Sequence, residues 1–285
     1  MTKQIIYKDQ KMFGSYLAGL WEGDGHALIP KTNARPSLHI TFNIKDLPLA
    51  QKLFNLLTAK CNGIKVGSIR YKTEQNACVL NISSIEGLKL MVNQINGNLK
   101  TPKIYRINIL IDWLKNKHNI QIKKLPMCSK ALCSNAWLAG FIDADGSFGV
   151  RQTQKTNLIK KRHTSCRFRL EQRMFDPTTN ESYESLLKRI AEFLGVKLGT
   201  RKQKQSGRSY YLISMDSAKS KKLLRAYLET FSLLSSKYLD YMDWCRVDDL
   251  MISNEHYIQE QRIKQIKNAM NNSRTIFNWD HLNQL

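Results

Sequence analysis

Apolar and polar side chains alternate along two stretches of the chain, residues 38–45 and residues 167–173. Such alternation predicts β-strands of an antiparallel sheet, with one face buried and the other face in water. A mostly apolar run with the length and spacing of a helix precedes each stretch, over residues 13–22 and 136–143. The pattern therefore predicts the same order of elements, a helix and then strands, in both halves of the chain.

Further elements follow in the same order in each half. The predicted helices cover residues 47–59 and 183–194, and the predicted strands cover residues 66–72, 77–83, 196–202 and 209–215. With closing helices, the sequence predicts an α+β fold of two pseudo-symmetric αββαββα repeats, each with an antiparallel sheet. We expect the first repeat at residues 1–117, a polar linker at 118–134, and the second repeat with C-terminal helices at 135–285.

A nonapeptide that occurs twice supports this two-repeat interpretation. Residues 17–25 read LAGLWEGDG and residues 138–146 read LAGFIDADG, an offset of 121. Further on, GIKVG at residues 63–67 matches GVKLG at residues 195–199, with an offset of 132. The second copy therefore contains about eleven additional residues after its nonapeptide, and the polar, basic residues 153–165 are the predicted insertion.

The charge of the chain indicates a polyanionic partner. Lys and Arg number 45 against 23 Asp and Glu, which gives a net charge of +22. Such an excess is typical of proteins that bind nucleic acid or an anionic membrane. The sequence contains no apolar stretch of about 18 residues, the length that would predict a membrane span, so we expect no membrane partner. The N-terminal residues resemble neither a signal peptide nor a transit peptide, and the six scattered Cys are expected to be free thiols.

The polar positions of the predicted strands carry side chains that suit DNA. Arg, Lys, Asn and Gln pair with base edges in the major groove, and Lys and Arg also neutralise phosphates. An ordinary solvated sheet face is the alternative, but the same basic bias in both copies favours contact with nucleic acid. The residues expected to contact DNA are His39, Thr41, Asn43, Lys45, Arg70, Lys72, Arg151, Arg167, Arg169, Arg173, Arg201 and Gln203.

The repeated nonapeptide combines small residues with a terminal acid. Gly inside a helix costs about 1 kcal/mol, so Gly19 and Gly140 indicate the close approach of another helix, as when the two copies pack together. This packing would bring Asp24 and Asp145 together at the negative ends of their helices, which is unfavourable unless divalent cations neutralise the charge. Paired carboxylates around Mg²⁺ serve two-metal hydrolysis of phosphodiesters. A chance helix end could explain one copy, but two matched copies favour a metal site.

Both nonapeptides resemble the signature of the LAGLIDADG homing endonuclease family, and the αββαββα pattern resembles this family over essentially the whole chain. The double copy is similar to the single-chain members, which implies a monomer whose two sheets form a saddle on double-stranded DNA. The resemblance implies that Asp24 and Asp145 bind the catalytic metals, Mg²⁺ or Mn²⁺, with Ca²⁺ supporting binding without cleavage. A basic residue near the scissile phosphates is common in the family, and by position it corresponds to Lys103 and Lys237. A solvated charge at the start of a helix is the alternative for either Lys.

Three residues near the motifs have open roles. Glu22 and Asp143 are included in the candidate metal site, although a helix-terminating or supporting role suits their carboxylates better, and the resemblance implies that their backbone carbonyls help to coordinate metal. His26 could act as a general base, but the second copy has Ser147 there. We therefore expect a water molecule on the metal, rather than His26, to be the base. The first motif departs from the signature at residues 21–23 without losing its terminal acid.

The resemblance implies a site-specific homing endonuclease that breaks both strands of a long DNA target, leaves short 3′ overhangs and promotes intron mobility. Two other classes stay open. One is a maturase that binds its own group I intron RNA, alone or as a second activity, and the other is a DNA-binding regulator without catalysis. The intact acids Asp24 and Asp145 favour cleavage, because neither alternative needs them. We expect an intron-encoded or free-standing protein made in the mitochondrion or chloroplast.

Overall fold

The computed structural model describes residues 6–30, 34–153, 163–203 and 207–285 of the chain. The elements of the first half are α1 (Gln10–Asp24), β1 (Gly25–Leu28), β2 (Ser37–Asn43), α2 (Leu47–Lys60), β3 (Gly67–Lys72), β4 (Ala77–Ile82), α3 (Ile85–Ile95) and α4 (Ile104–His118). Those of the second half are α5 (Trp137–Asp145), β5 (Gly146–Gln152), β6 (Thr164–Arg173), α6 (Glu184–Phe193), β7 (Gly199–Lys202), β8 (Ser209–Met215), α7 (Ala218–Thr230), α8 (Lys237–Ile252) and α9 (Glu260–Asn268). The predicted α+β fold of two αββαββα repeats is confirmed.

Each half contains a four-stranded antiparallel sheet, with strand orders β1-β2-β4-β3 and β5-β6-β8-β7. The first strand of each sheet begins at the last glycine of the motif, where Gly25 pairs with Ile40 and Gly146 pairs with Leu170. The offset between the repeats is 121 at these glycines and 130 at their partners, so nine additional residues fall between Gly146 and Leu170, shared by longer strands and a longer connection between β5 and β6. The predicted insertion, residues 153–165, overlaps this hairpin, but Thr164 and Ser165 belong to β6 rather than to a loop, and residues 154–162 are outside the described residues.

The predicted strand at residues 38–45 ends earlier than its alternation suggests. The Asn43 side chain accepts a hydrogen bond from the Lys45 backbone N–H at 3.2 Å and begins a short 3₁₀-helix, Ile44–Asp46. Because this local bond turns the backbone away from the strand, Lys45 lies beyond the sheet. The prediction that Lys45 continues the polar face of the strand is therefore wrong.

The two motif helices, α1 and α5, pack against each other at their glycines. A Cβ atom placed on Gly19 would lie 1.9 Å from the carbonyl oxygen of Trp137, and one placed on Gly140 would lie 2.1 Å from that of Tyr16. Both distances are far too short for a side chain, so only glycine allows the helix backbones to approach this closely. Because the two contacts are reciprocal, the pseudo-two-fold axis that relates the repeats passes through this helix crossing.

Apolar faces of helices and sheets form one continuous core through both repeats. The stretch between α4 and α5 contacts both halves. The Cys128 N–H donates to the carbonyl of Leu99 at 2.7 Å, and Arg189 donates to the carbonyls of Ser129 and Lys130 at 3.2 Å each. Within the described residues, no helix is both long enough and apolar enough to cross a membrane.

Candidate active site and nucleic-acid interface

Asp24 and Asp145 are the last residues of α1 and α5, so the helix crossing brings the two repeats' acids to one place. Asp24 is exposed to solvent on one side. Loss of hydration to the protein atoms packed around its carboxyl group, together with the charge of Asp145, raises the pKa of Asp24 to about 7. Burial also raises the pKa of Asp145, and Lys237 and Lys103 oppose both shifts. Two carboxylates that resist ionisation when close together are a suitable pair for binding divalent cations.

Glycine at position 23, where the first motif departs from the signature, has a steric reason. A Cβ atom on Gly23 would lie 2.1 Å from the Cβ of Ala144 and 3.0 Å from the Oδ2 of Asp145. Since the two helix ends touch here, a side chain would push the two acids apart. The small residue therefore keeps Asp24 close to Asp145.

Gln172 on β6 is a polar neighbour of the acids that the sequence analysis missed. Its Nε2 donates to Asp145 Oδ2 at 3.1 Å. The strand register places Gln172 where the first repeat has the buried Phe42, since both lie two residues beyond the partner of the motif glycine. A polar residue at an apolar position of the alternation was the only sequence signal. This contact makes the surroundings of the two acids unequal.

Lys103 and Lys237 stand at the beginning of α4 and α8 and reach the ends of the motif helices. Lys103 Nζ donates to the carbonyl oxygens of Gly23 and Gly25 at 3.0 and 2.8 Å. Lys237 Nζ donates to those of Ile142 and Ala144 at 3.4 and 2.5 Å. Each Lys thus places a positive charge at the negative end of its own repeat's helix, beside the acids. Burial lowers the pKa of Lys103.

The carboxylates of Glu22 and Asp143 point into the protein, away from a cation between the acids. Glu22 is fully buried, and its oxygens accept hydrogen bonds from the Lys100 and Thr101 backbone N–H groups, the Thr101 hydroxyl and the Trp137 indole. Asp143 is buried in the same way and accepts hydrogen bonds from the Leu234 N–H, the Ser235 hydroxyl and the Tyr16 hydroxyl. Burial raises the pKa of Glu22 to about 7, whereas these donors favour its ionised form. The structure therefore separates these two side chains from the Asp24–Asp145 pair.

Apart from Lys45, which lies beyond the strand, the residues of the first sheet predicted to contact DNA share its open face. The β-sheet register aligns Thr41 with Val79 and Arg70, and it aligns Asn43 with Ala77 and Lys72. His39 lies two residues before Thr41 and so belongs to the same face.

His39 pairs with a second imidazole on this face. Its Nδ1 lies 2.7 Å from Nε2 of His26, and the two rings meet edge to face. Burial and neighbouring positive charge lower the pKa of both imidazoles, so a neutral pair is presented at pH 7. His26 is thus part of the sheet face, with its ring engaged by His39.

The second sheet carries the larger number of arginines. The register aligns Arg169 with Ser147, and it aligns both Arg173 and Arg201 with Tyr210. Alternation places two further arginines on the same face, and Gln203 directly follows β7. The arginines of this face are Arg151, Arg167, Arg169, Arg173 and Arg201.

One acid interrupts the basic face of the second sheet. Glu171 shares the face of its strand neighbours Arg169 and Arg173, and it forms an ion pair with Arg201 at 2.8 Å. It was not among the residues predicted to contact DNA. The ion pair orients the Arg201 guanidinium. The negative charge of Glu171 would also repel phosphate and so reduce the attraction of this face for DNA.

The acids supply oxygen ligands, which are the ligands that Mg²⁺ prefers. Nowhere in the described residues do three or more His, Cys, Asp or Glu side chains converge on one point. A divalent cation held by Asp24 and Asp145 would therefore take its other ligands from backbone carbonyls, water and substrate phosphate, as Mg²⁺ commonly does at phosphate-transfer sites. The residues present fit such a cation.

The crossed motif helices, paired acids and twin basic sheets define a class of two-repeat nucleic-acid-binding proteins. Residues 17–115 and 138–247 match the sequence model of the LAGLIDADG endonuclease family. The chain belongs to this family.

Several relatives of the chain are named as intron products. The intron-encoded DNA endonuclease aI3 of Saccharomyces cerevisiae is 30% identical over 94% of this chain and 72% of its own length. A cox1 intron-2 protein of Schizosaccharomyces pombe is 30% identical over 94% of this chain and 74% of its own length. The intron-encoded RNA maturase bI4 of S. cerevisiae is 31% identical, over 54% of this chain and 22% of its own length.

Solved structures with the same fold include LAGLIDADG endonucleases bound to DNA. The I-LtrWI homing endonuclease bound to target DNA superposes with a TM-score of 0.67, covering 94% of this chain and all of that one at 18% identity. The I-GzeII homing endonuclease in complex with its DNA target gives 0.63, covering 92% and 99% at 19% identity. These similarities support the fold.

Proposed function

We propose that this protein is a site-specific homing endonuclease that cuts both strands of a long DNA target. The main observation in support is the position of Asp24 and Asp145, which lie together at the ends of the crossed helices α1 and α5, between two basic sheet faces. DNA lying across both sheets would place its phosphates at this crossing. The family and the names of its relatives support the same function.

The side chains divide the work between binding and chemistry. The polar faces of the two sheets bind the duplex, with arginines and lysines against phosphates and base edges. Asp24 and Asp145 would hold divalent cations, Mg²⁺ or Mn²⁺, while Ca²⁺ would support binding without cleavage. When bound, such cations supply charge stabilisation and activate water for attack on phosphorus. Lys103 and Lys237 add fixed positive charge beside the scissile phosphates, where negative charge increases in the transition state.

The single chain already contains both halves of the site, so we infer that it acts as a monomer. The motif helices use their glycines in contacts with each other, and that surface is not available to a second copy. An intron-encoded origin in the mitochondrion or chloroplast is supported by a relative named as a cox1 intron product.

Cleavage is tested with the DNA sequences on either side of the intron, joined so that the intron is absent. We expect Mg²⁺ or Mn²⁺ to give a double-strand break with short 3′ overhangs, Ca²⁺ to give binding alone, and EDTA to prevent cutting. Duplex carrying the intron is the control, because the insertion interrupts the target. A protein that binds the joined site but never cuts it with any of these metals would contradict the proposal.

A second candidate function is a group I intron maturase, alone or beside cleavage. The observation that favours it is the similarity to an intron-encoded RNA maturase over about half of this chain. The test is splicing of the intron transcript with and without protein at low Mg²⁺. Binding of RNA without faster splicing would leave only the endonuclease proposal.

A further inference from the structure

Glu22 and Asp143, which the metal site does not use, occupy equivalent positions in two matching hydrogen-bond clusters. We define the first clamp as Glu22, Thr101 and Trp137. Glu22 accepts from the Thr101 N–H and hydroxyl at 2.6 Å each, and from the Trp137 Nε1–H at 2.6 Å. All three residues are fully buried. The first clamp joins α1, the loop before α4, and the motif helix of the other repeat.

The second clamp, defined as Asp143, Ser235 and Tyr16, has the same design. Asp143 accepts from the Ser235 N–H and hydroxyl at 3.3 and 2.5 Å, and from the Tyr16 hydroxyl at 2.7 Å. Its members are also buried. Each residue of the second clamp stands where its counterpart stands in the first, with an acid, a hydroxyl and an aromatic donor. Two chemically different sets of residues therefore build the same cluster, which indicates a shared task beyond packing.

Each clamp ends at one of the two active-site lysines. The Thr101 hydroxyl oxygen accepts from the backbone N–H of Lys103 at 3.3 Å, and the Ser235 hydroxyl oxygen accepts from that of Lys237 at 3.2 Å. The clamp thus fixes the backbone from which the lysine reaches the acids. The acid of each clamp lies two residues before Asp24 or Asp145 on the same helix. The clamp therefore fixes the position of the lysine relative to the motif acid of its own repeat.

We propose that Glu22 and Asp143 are positioning residues that set Lys103 and Lys237 against the scissile phosphates, and that each clamp makes one repeat's lysine depend on the other repeat's motif helix. The proposal rests on the proposed endonuclease function. Displacement of a catalytic group by about 1 Å can cost roughly a hundredfold in rate. Because each lysine belongs to one half of the site, damage to one clamp slows cleavage of one strand more than the other.

The test measures cleavage of each strand of the joined site, with the two strands carrying different labels. Thr101→Val and Ser235→Ala remove a clamp hydroxyl, while Thr101→Ser and Ser235→Thr keep it. We expect each hydroxyl-lacking variant to slow one strand by roughly 10- to 100-fold, to slow opposite strands, and to accumulate nicked DNA. The hydroxyl-keeping variants restore the rate, and affinity for the uncut duplex in Ca²⁺ stays at the wild-type value, because the clamps lie in the buried interior and not on the sheet faces.

Tyr16→Phe tests the dependence between repeats, because it removes only the hydroxyl that reaches Asp143 from the first repeat. It is expected to slow the same strand as Ser235→Ala, although the two residues lie in different repeats. Thr58→Val is the control for loss of a hydroxyl, since the Thr58 Oγ1 is buried without a hydrogen-bond partner among the described residues. Its cleavage of both strands should equal that of wild type.

The outcomes separate this proposal from the proposed function. Wild-type protein that cuts neither strand overturns both. The clamp proposal alone is overturned when wild type cuts and Thr101→Val and Ser235→Ala slow both strands equally or not at all. It is also overturned when the hydroxyl-keeping variants fail to restore the rate, or when Tyr16→Phe slows the strand that depends on Thr101.

Discussion

The Asp24→Asn substitution should stabilise the metal-free protein and abolish its cleavage activity. The folded protein raises the pKa of Asp24 from 3.8 to about 7 through burial and the charge of Asp145. Each pKa unit corresponds to about 1.36 kcal/mol, so the full penalty for the ionised form would be about 4 kcal/mol. Because Asp24 is accessible to solvent, we discount this to about 1–2 kcal/mol. Asn removes the charge while keeping the shape.

The pH dependence of this effect has a defined sign. A carboxyl whose pKa is raised by folding destabilises the protein where it is ionised, above about pH 7. The penalty decreases as the pH falls through 7 and vanishes near the ordinary value of 3.8, where the folded and unfolded forms both hold the proton. The stability advantage of Asp24→Asn over wild type should therefore be largest at pH 8 and small at pH 5.

The assay is thermal unfolding without divalent cations, followed by cleavage with Mg²⁺. At pH 8 we expect the melting temperature to rise by roughly 2–8 °C, from about 2–4 °C per kcal/mol for a chain of this size. Asp112→Asn is the matched control, since Asp112 is a surface carboxylate that pairs with Lys124. It should change the melting temperature little and leave cleavage intact. An Asp24→Asn protein that melts below wild type at pH 8, or cuts at the wild-type rate, would refute the reasoning.

Three further predictions concern metal, packing and DNA. Ca²⁺ should bind the protein–DNA complex more weakly at pH 6 than at pH 8, because it must displace a proton from Asp24; calorimetry in buffers of different ionisation enthalpy measures the proton released. Gly19→Ala should cost more than about 2 kcal/mol, since its Cβ would meet Trp137, while Gly149→Ala has open space and should cost little; thermal melting compares them. Arg169→Ala should weaken DNA binding, reduce its salt dependence and, where Arg169 reads guanine, lower base preference by about 1–3 kcal/mol, as measured by titration of variant duplexes.

Local patterns in the sequence were sufficient for the elements and for the acids. Alternation gave the strands and their polar faces, because neighbouring side chains of a strand point to opposite sides of a sheet. The duplicated nonapeptide identified Asp24 and Asp145, since small residues and an acid at matched places indicate paired helix ends. The alternation failed at Lys45, where a side chain–backbone bond from Asn43 ended the strand before the alternation ended, and the strand predicted at residues 196–202 begins only at Gly199.

Only the tertiary structure decided which distant residues meet. Glu22 contacts Thr101, 79 positions away in the sequence, and Trp137, 115 positions away. Periodicity in the sequence does not predict contacts over such separations. Gln172 resembles an ordinary polar residue until the sheet register places it beside Asp145. Hydrogen bonds are short and directional, so they depend on the final packing of helices and sheets. The sequence alone therefore determined the repeats, the fold class and the paired acids, while the folded packing determined which buried groups hold those acids and their lysines in place.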